Sequence, residues 1–216
     1  RGLGSSAAAI VAAIELADKL LHLNLTSKDK VRKGSLIEGH LDNIAASVYG
    51  GLIIGTHDEG ETEVIHDIFP SVELIAVIPN YELKTSDSRK LLPREFLFDD
   101  AVKGSSISNV LVAALLKNEW NLVGKMMMKD LFHQPYRKML VPELEKGFSI
   151  VKELDVYGVS LSGAGPTIIF YIPDGDGYKV KKEVEKYYPT YDVQLLHVDK
   201  NGLTCKSYVS SRNHSL

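Results

Sequence analysis

Arg1-Gly2-Leu3-Gly4-Ser5-Ser6-Ala7-Ala8 places two glycines and two serines ahead of an alanine-rich run. Glycine lets a backbone approach a ligand closely and adopt positive φ. Serine hydroxyls and unpaired first-turn N–H groups then stand where a helix begins, and the helix dipole favours negative charge there. Such a loop can bind phosphate. It is not a Walker A loop, because the chain has no Gly-Lys-Ser/Thr triplet. It fits the Gly-x-Gly-x-x-Ala form of a dinucleotide fingerprint. However, the pattern that follows is a second helix, not a strand ending in an acidic ribose ligand. A tight turn before a buried helix would use the same residues.

Three further groupings carry chemistry. Glu38-Gly39-His40-Leu41-Asp42-Asn43 gathers four functional side chains within six positions. A carboxylate there suits Mg²⁺, and an Asp/Asn pair can grip an amino or hydroxyl group; Asp42 could equally cap the next helix. Arg89, in Thr85-x-x-x-Arg89-x-x-Leu92-Pro93, and Arg137, in Gln134-Pro135-Tyr136-Arg137, each lie beside a proline break. The planar guanidinium fork matches a carboxylate, although most surface arginines only solvate a face. Ser160-Leu161-Ser162-Gly163-Ala164-Gly165-Pro166-Thr167 reads as a glycine-rich turn between two strand patterns.

Together these segments resemble the motifs of the GHMP kinases, which phosphorylate small molecules with ATP. The opening loop is similar to the family's phosphate loop, and Arg1 to its homoserine kinase variant. The segment 38–43 is similar to that branch's Glu-Gly-His-Pro-Asp-Asn, with Leu41 where proline is usual. The two arginine segments resemble stretches that bind the substrate carboxylate, and 160–167 resembles the family's third motif. The resemblance implies ATP binding by Arg1, Gly2, Leu3, Gly4, Ser5, Ser6 and Ala7. It implies Mg²⁺ held by Ser6 and Glu38, and homoserine bound by His40, Asp42, Asn43, Arg89, Arg137, Gly163 and Gly165. Members of the wider family carry the magnesium glutamate further upstream, where this chain has Arg32.

The expected catalytic set is Ser6, Glu38 and Asp42. In mevalonate-type relatives the aspartate is read as a base; in homoserine kinases it is more like the ligand of the substrate ammonium, and a carboxylate so paired is a poor base. The expected reaction moves the γ-phosphoryl group of ATP to the side-chain hydroxyl of L-homoserine, within threonine biosynthesis. A mevalonate-type kinase and a catalytically silent nucleotide-binding regulator are the alternatives. The resemblance also implies a two-domain α+β fold. Residues 1–62 would be the later part of a ribosomal-S5-like, ATP-binding domain, and 63–210 a ferredoxin-like domain. The chain enters its loop without a methionine, so a preceding segment, with the family's first motif, is expected. A homodimer is expected too.

The elements that must position these residues are read from periodicity. Helices are expected over 5–23 (Ile10, Ile14, Ala17 and Leu21 at helical spacing), from Thr26 toward 36–38, and over 42–48. Strands are expected over 52–56, 64–69 and 72–78, the first two flanking a polar loop at 57–63. Helical patterns fill 87–154, with interruptions at Pro135 and Pro142. Strands at 159–162, 167–172, 193–198 and 203–209, and a charged helix over 178–187, complete the pattern. Without regular β-α alternation this is α+β. Met126-Met127-Met128, Trp120 and Tyr187-Tyr188 read as packing residues. Asp174-Gly175-Asp176-Gly177 reads as a turn, because it lacks the downstream glutamate of a calcium loop.

Composition excludes several classes. A 44% hydrophobic content over 216 residues supports a sizeable core, and a net charge of −3 without like-charge blocks gives no footprint for nucleic acid or a membrane surface. The lone Cys205 cannot form an internal disulfide, which fits a reducing cytoplasm. The apolar run 7–14 is too short to span a bilayer.

Overall fold

The computed structural model describes residues 2–67 and 71–208. Its contacts separate two compact units, one of residues 6–67 with 199–208, the other of residues 2–5 with 71–198.

The first unit contains α1 (Ser5–Leu21), α2 (Ser27–Glu38), α3 (Asp42–Tyr49) and a hairpin of β1 (Leu52–His57) and β2 (Thr62–Asp67). Thr26 starts α2 through a full capping box with Asp29, and Gly39 ends it in the left-handed conformation. Ala7, Val11, Val31, Leu41, Ile44, Ala45 and Val48 form the core. The buried stripe of α1 is Ala7, Val11, Glu15 and Asp18, whereas Leu21 is exposed. The expected Ile10-Ile14-Ala17 stripe flanks that face. Two acids lie on the buried side because Lys30 of α2 pairs with both Glu15 and Asp18. Arg32, also on α2, bonds Thr62 Oγ1 at 3.3 Å and the Glu59 carbonyl at 2.9 Å, fastening α2 to the hairpin.

The second unit is an antiparallel sheet with helices. It runs β3 (Glu73–Ile78), α4 (Thr85–Lys90), α5 (Phe98–Leu116), α6 (Trp120–Met127), α7 (Gln134–Arg137), α8 (Pro142–Ile150), β4 (Gly158–Leu161), β5 (Ile168–Ile172), α9 (Gly177–Tyr187) and β6 (Asp192–Leu196). Strand order β4-β5-β3-β6 with all pairs antiparallel is the βαββαβ arrangement of a ferredoxin-like fold. The inner strand β3 is apolar on both faces. Ile75 and Val77 join Phe170 in a core with Leu144 of α8 and Val180 and Val184 of α9, while Ala76 and Ile78 pack with Ile169 on the other side. Trp120, Val123 and Met127 of α6 form a further cluster with Ala114 of α5. Helix α6 lies so close to β4 that a Cβ on Gly124 would stand 1.7 Å from the Tyr157 carbonyl.

The helical run breaks ahead of Pro135 and Pro142 as expected, and each proline stands in the first turn of the next helix, α7 or α8, where a missing N–H costs nothing. One expectation is corrected. Residues 203–208 form no strand. Leu203 instead donates its N–H to Val48 and packs on the first unit's core. Val209, and the Phe69 end of the strand expected over 64–69, lie outside the described residues. The Asp174 segment is a turn, with Gly175 and Gly177 donating N–H groups to Glu73.

Candidate active site

The expected site residues fall into two groups, one in each unit. In the first unit, α1 and the α2–α3 junction bring Ser6 to Glu38, whose Oε2 accepts the serine hydroxyl at 2.9 Å. His40 stands between two acids, its Nδ1 2.6 Å from Asp42 Oδ1 and its Nε2 3.9 Å from Glu38 Oε1. Glu38 is largely covered and Asp42 mostly exposed, with side-chain exposures of 16% and 69%. Asp42 does not cap α3; the N-cap is Leu41, and Asp42 and Asn43 are the first helical residues. The side chain of Leu41, which stands where proline is usual, is buried in the core with Val31 and Ile44, and a Cβ at Gly55 would meet its δ carbons at 3.2 Å.

In the second unit the hairpin loop joining β4 to β5 is the hub. The Ser162 N–H bonds the Thr167 carbonyl and the Gly165 N–H bonds Ser162, while Gly163 and Gly165 adopt positive φ. The glycine-rich turn expected between two strands is this β4–β5 hairpin. Ser162 Oγ donates to the Gly2 carbonyl at 2.6 Å. Gly2 has φ +79, and a Cβ there would meet the Ser162 carbonyl at 2.5 Å, so only glycine fits against this loop. Gly4 also has positive φ, at +75, and no acidic residue enters the first turn of α1. Leu3 and Ser5 are exposed, and Ala7 is buried in the core of the first unit. Arg1 lies outside the described residues.

Both arginine segments reach this loop. Arg137 Nη1 donates to the Gly163 carbonyl at 3.0 Å. Ser88, fully buried, donates to the Ala164 carbonyl at 3.0 Å, which sets the turn that carries Arg89. The Arg89 guanidinium is exposed and has no hydrogen-bond or ion-pair partner among the described residues. Ser88 and Ser162 were not singled out from sequence, although each sits inside a segment that was; a serine beside a marked arginine or glycine carries no signal without the partner it meets.

Comparison with known proteins follows the same lines. The family model "GHMP kinases N terminal domain" matches residues 1–51 and "GHMP kinases C terminal" matches 111–190. The chain is 53% identical to the homoserine kinase of Halalkalibacterium halodurans over 98% of this chain and 69% of that protein. It is 52% identical to the homoserine kinase of Bacillus velezensis over 94% of this chain and 65% of that protein. Among solved structures, the homoserine kinase of Cytophaga hutchinsonii superposes with a TM-score of 0.81 at 26% identity, over 94% of this chain and 67% of that one. The chain thus spans about two thirds of the length of the curated relatives it matches.

Proposed function

The chain belongs to the GHMP kinases, and from that premise we propose that the full-length protein is a homoserine kinase, moving the γ-phosphoryl group of ATP to the side-chain hydroxyl of L-homoserine. The observation that carries this reading is the convergence on one hairpin loop. Arg137 and the turn bearing Arg89 both bond loop 162–165, and the same loop holds Gly2 of the glycine–serine loop. A pair of guanidinium groups beside a phosphate loop suits a substrate that carries a carboxylate. The high identity to two proteins named homoserine kinase supports the same substrate.

Phosphoryl transfer depends mainly on alignment and charge stabilisation. On this reading the amides of residues 2–7 and the N-terminus of α1 bind the phosphates, with Arg1 at the start of that loop. Ser6 and Glu38 present adjacent hard oxygen donors, which fit Mg²⁺. When bound, Mg²⁺ neutralises charge on the transferring phosphates. Asp42 and Asn43 take the substrate ammonium, with His40 orienting the Asp42 carboxylate. Arg89 and Arg137 take the substrate carboxylate, and Gly163 and Gly165 shape the loop against it. Residues up to about 62 would belong to the family's ATP-binding domain and 63–210 to its C-terminal domain, an order that the two family matches support. Among the described residues no helix is long and apolar enough to cross a membrane, and a cytoplasmic homodimer completes the reading.

An ADP-release assay on the full-length protein, offering L-homoserine, mevalonate and galactose with Mg-ATP, tests it. Turnover with homoserine alone supports the proposal. Turnover with mevalonate instead would keep the kinase and overturn the substrate. Tight ATP binding without turnover would favour a silent regulator.

A further inference from the structure

Arg137 stands on α7, a single helical turn of four residues, too short to persist by its own hydrogen bonds. Its N-cap residue, His133, makes no side-chain capping bond. Asp130 supplies the cap from three residues earlier. Its carboxylate accepts the backbone N–H of Phe132 at 2.8 Å, of His133 at 3.0 Å and of Gln134 at 2.6 Å. Successive amides are thereby folded around one anion, which satisfies donors that a helix start leaves open. Burial opposes the charge, but hydrogen bonds from His133, Gln134 and Phe132 outweigh it and hold the carboxyl at about 2.

Gln134, the first residue of that turn, is buried. Its Nε2 donates to the carbonyl of Met127, the last residue of α6, at 2.7 Å, and its Oε1 accepts the Leu161 N–H at 3.2 Å. Leu161 ends the edge strand β4 and leads directly into the hairpin loop. Arg137, three residues on and so on the same side of the turn, donates to Gly163 of that loop. The turn therefore grips the chain at Leu161 and Gly163, on either side of Ser162, whose hydroxyl holds Gly2.

We infer that Asp130 and Gln134 are positioning residues of the substrate site: Asp130 holds the turn that aims Arg137, and Gln134 ties that turn to the loop. The inference rests on Arg137 being the carboxylate clamp proposed above.

The test is steady-state kinetics on the full-length enzyme, varying homoserine and ATP in turn. The variants are Gln134→Ala, Asp130→Asn, Arg137→Ala, and each of the first two combined with the third. Gln134→Ala and Asp130→Asn are each expected to raise the homoserine KM about tenfold, the factor that a lost cap corresponds to. The ATP KM should move less than the homoserine KM, because both variants leave the Ser162–Gly2 bond itself in place. In the Arg137→Ala background the same changes should add little, because both act through that arginine. A lowered kcat or melting temperature with an unmoved homoserine KM, or full additivity with Arg137→Ala, overturns the inference and leaves both residues a structural role. An unmoved homoserine KM in Arg137→Ala itself overturns instead the clamp on which the inference rests. Should Asp130→Asn fail to fold, Gln134→Ala, which removes hydrogen bonds of an uncharged side chain, still decides between the outcomes.

Discussion

Ser162 Oγ donates a 2.6 Å hydrogen bond to the carbonyl oxygen of Gly2, so the hairpin loop that receives Arg137 also fixes the entry to the glycine–serine loop. Ser162→Ala removes one neutral hydrogen bond of about 1 kcal/mol. The expected result is an ATP KM raised roughly fivefold. Gly2→Ala should be much worse, because its Cβ would press on the Ser162 carbonyl at 2.5 Å with φ at +79. ATP titrations of both variants check this; equal affinities for the two would contradict it.

Ser6 and Glu38 should act as one oxygen pair for the metal. Ser6→Ala and Glu38→Gln are expected to raise the Mg²⁺ concentration for half-maximal rate and to lower kcat at least about tenfold, as for lost charge stabilisation in a transition state. The homoserine KM should hardly move. Mg²⁺ titrations at saturating ATP make the measurement, and an unaltered metal dependence would remove Glu38 from this role.

Lys30 neutralises two acids on the buried side of α1. Lys30→Met takes this ion pair from Asp18 and leaves Glu15 only the longer pair to Lys19 at 3.5 Å, and it should lower the melting temperature by roughly 10 °C. Hydrogen bonds from Lys30 and from the Leu25 N–H hold the Asp18 carboxyl below its usual 3.8. A depressed folded value means that its stabilising share is complete above pH 3.8 and is lost as pH falls below that value. Bonds to Asp18 and Glu15 raise Lys30 above 10.5, so its share is complete below pH 10.5 and lost on further alkalisation. Melting temperature against pH should show that plateau in the wild type. Lys30→Met should lack the alkaline fall due to this residue.

Leu41→Pro restores the residue usual in the resembling pattern, yet it should destabilise. Leu41 is buried among Val31, Ile44 and Val48, and truncating it costs about 2 kcal/mol. Urea unfolding measures the loss, and an unchanged or raised midpoint would show that burial of Leu41 is not what holds this turn.

The parts of the fold read most directly from sequence were those with local chemical markers. Thr26 and Asp29 spell out a capping box, and Gly39 ends α2 as expected of a left-handed cap. The polar stretch expected as a loop over 57–63 became the turn and adjoining strand ends of the β1–β2 hairpin. Errors arose where tertiary contacts overrode pattern. Apolar spacing at Ile10, Ile14 and Leu21 could not reveal that the acids Glu15 and Asp18 face inward, since that depends on Lys30 from another helix. Around Leu203, alternation suggested a strand, but Cys205 and Tyr208 are exposed and only Leu203 packs. Within the site, motif spacing found Arg137 and Gly163, but not their supports. Asp130 lies just before the Gln134-Pro135-Tyr136-Arg137 segment and outside every marked motif, and its bonds go to backbone N–H groups that no side-chain pattern encodes.

The most direct measurement compares wild type and Arg137→Ala in the full-length enzyme for two ligands: L-homoserine, and 3-amino-1-propanol, which keeps the hydroxyl and ammonium but lacks the carboxylate. If Arg137 clamps the carboxylate, the variant should weaken homoserine roughly a hundredfold, as for a lost charge-assisted pair. The competitive inhibition constant of the amino alcohol should be unchanged. An equal loss for both ligands would contradict the clamp and leave Arg137 as a brace for the loop at Gly163.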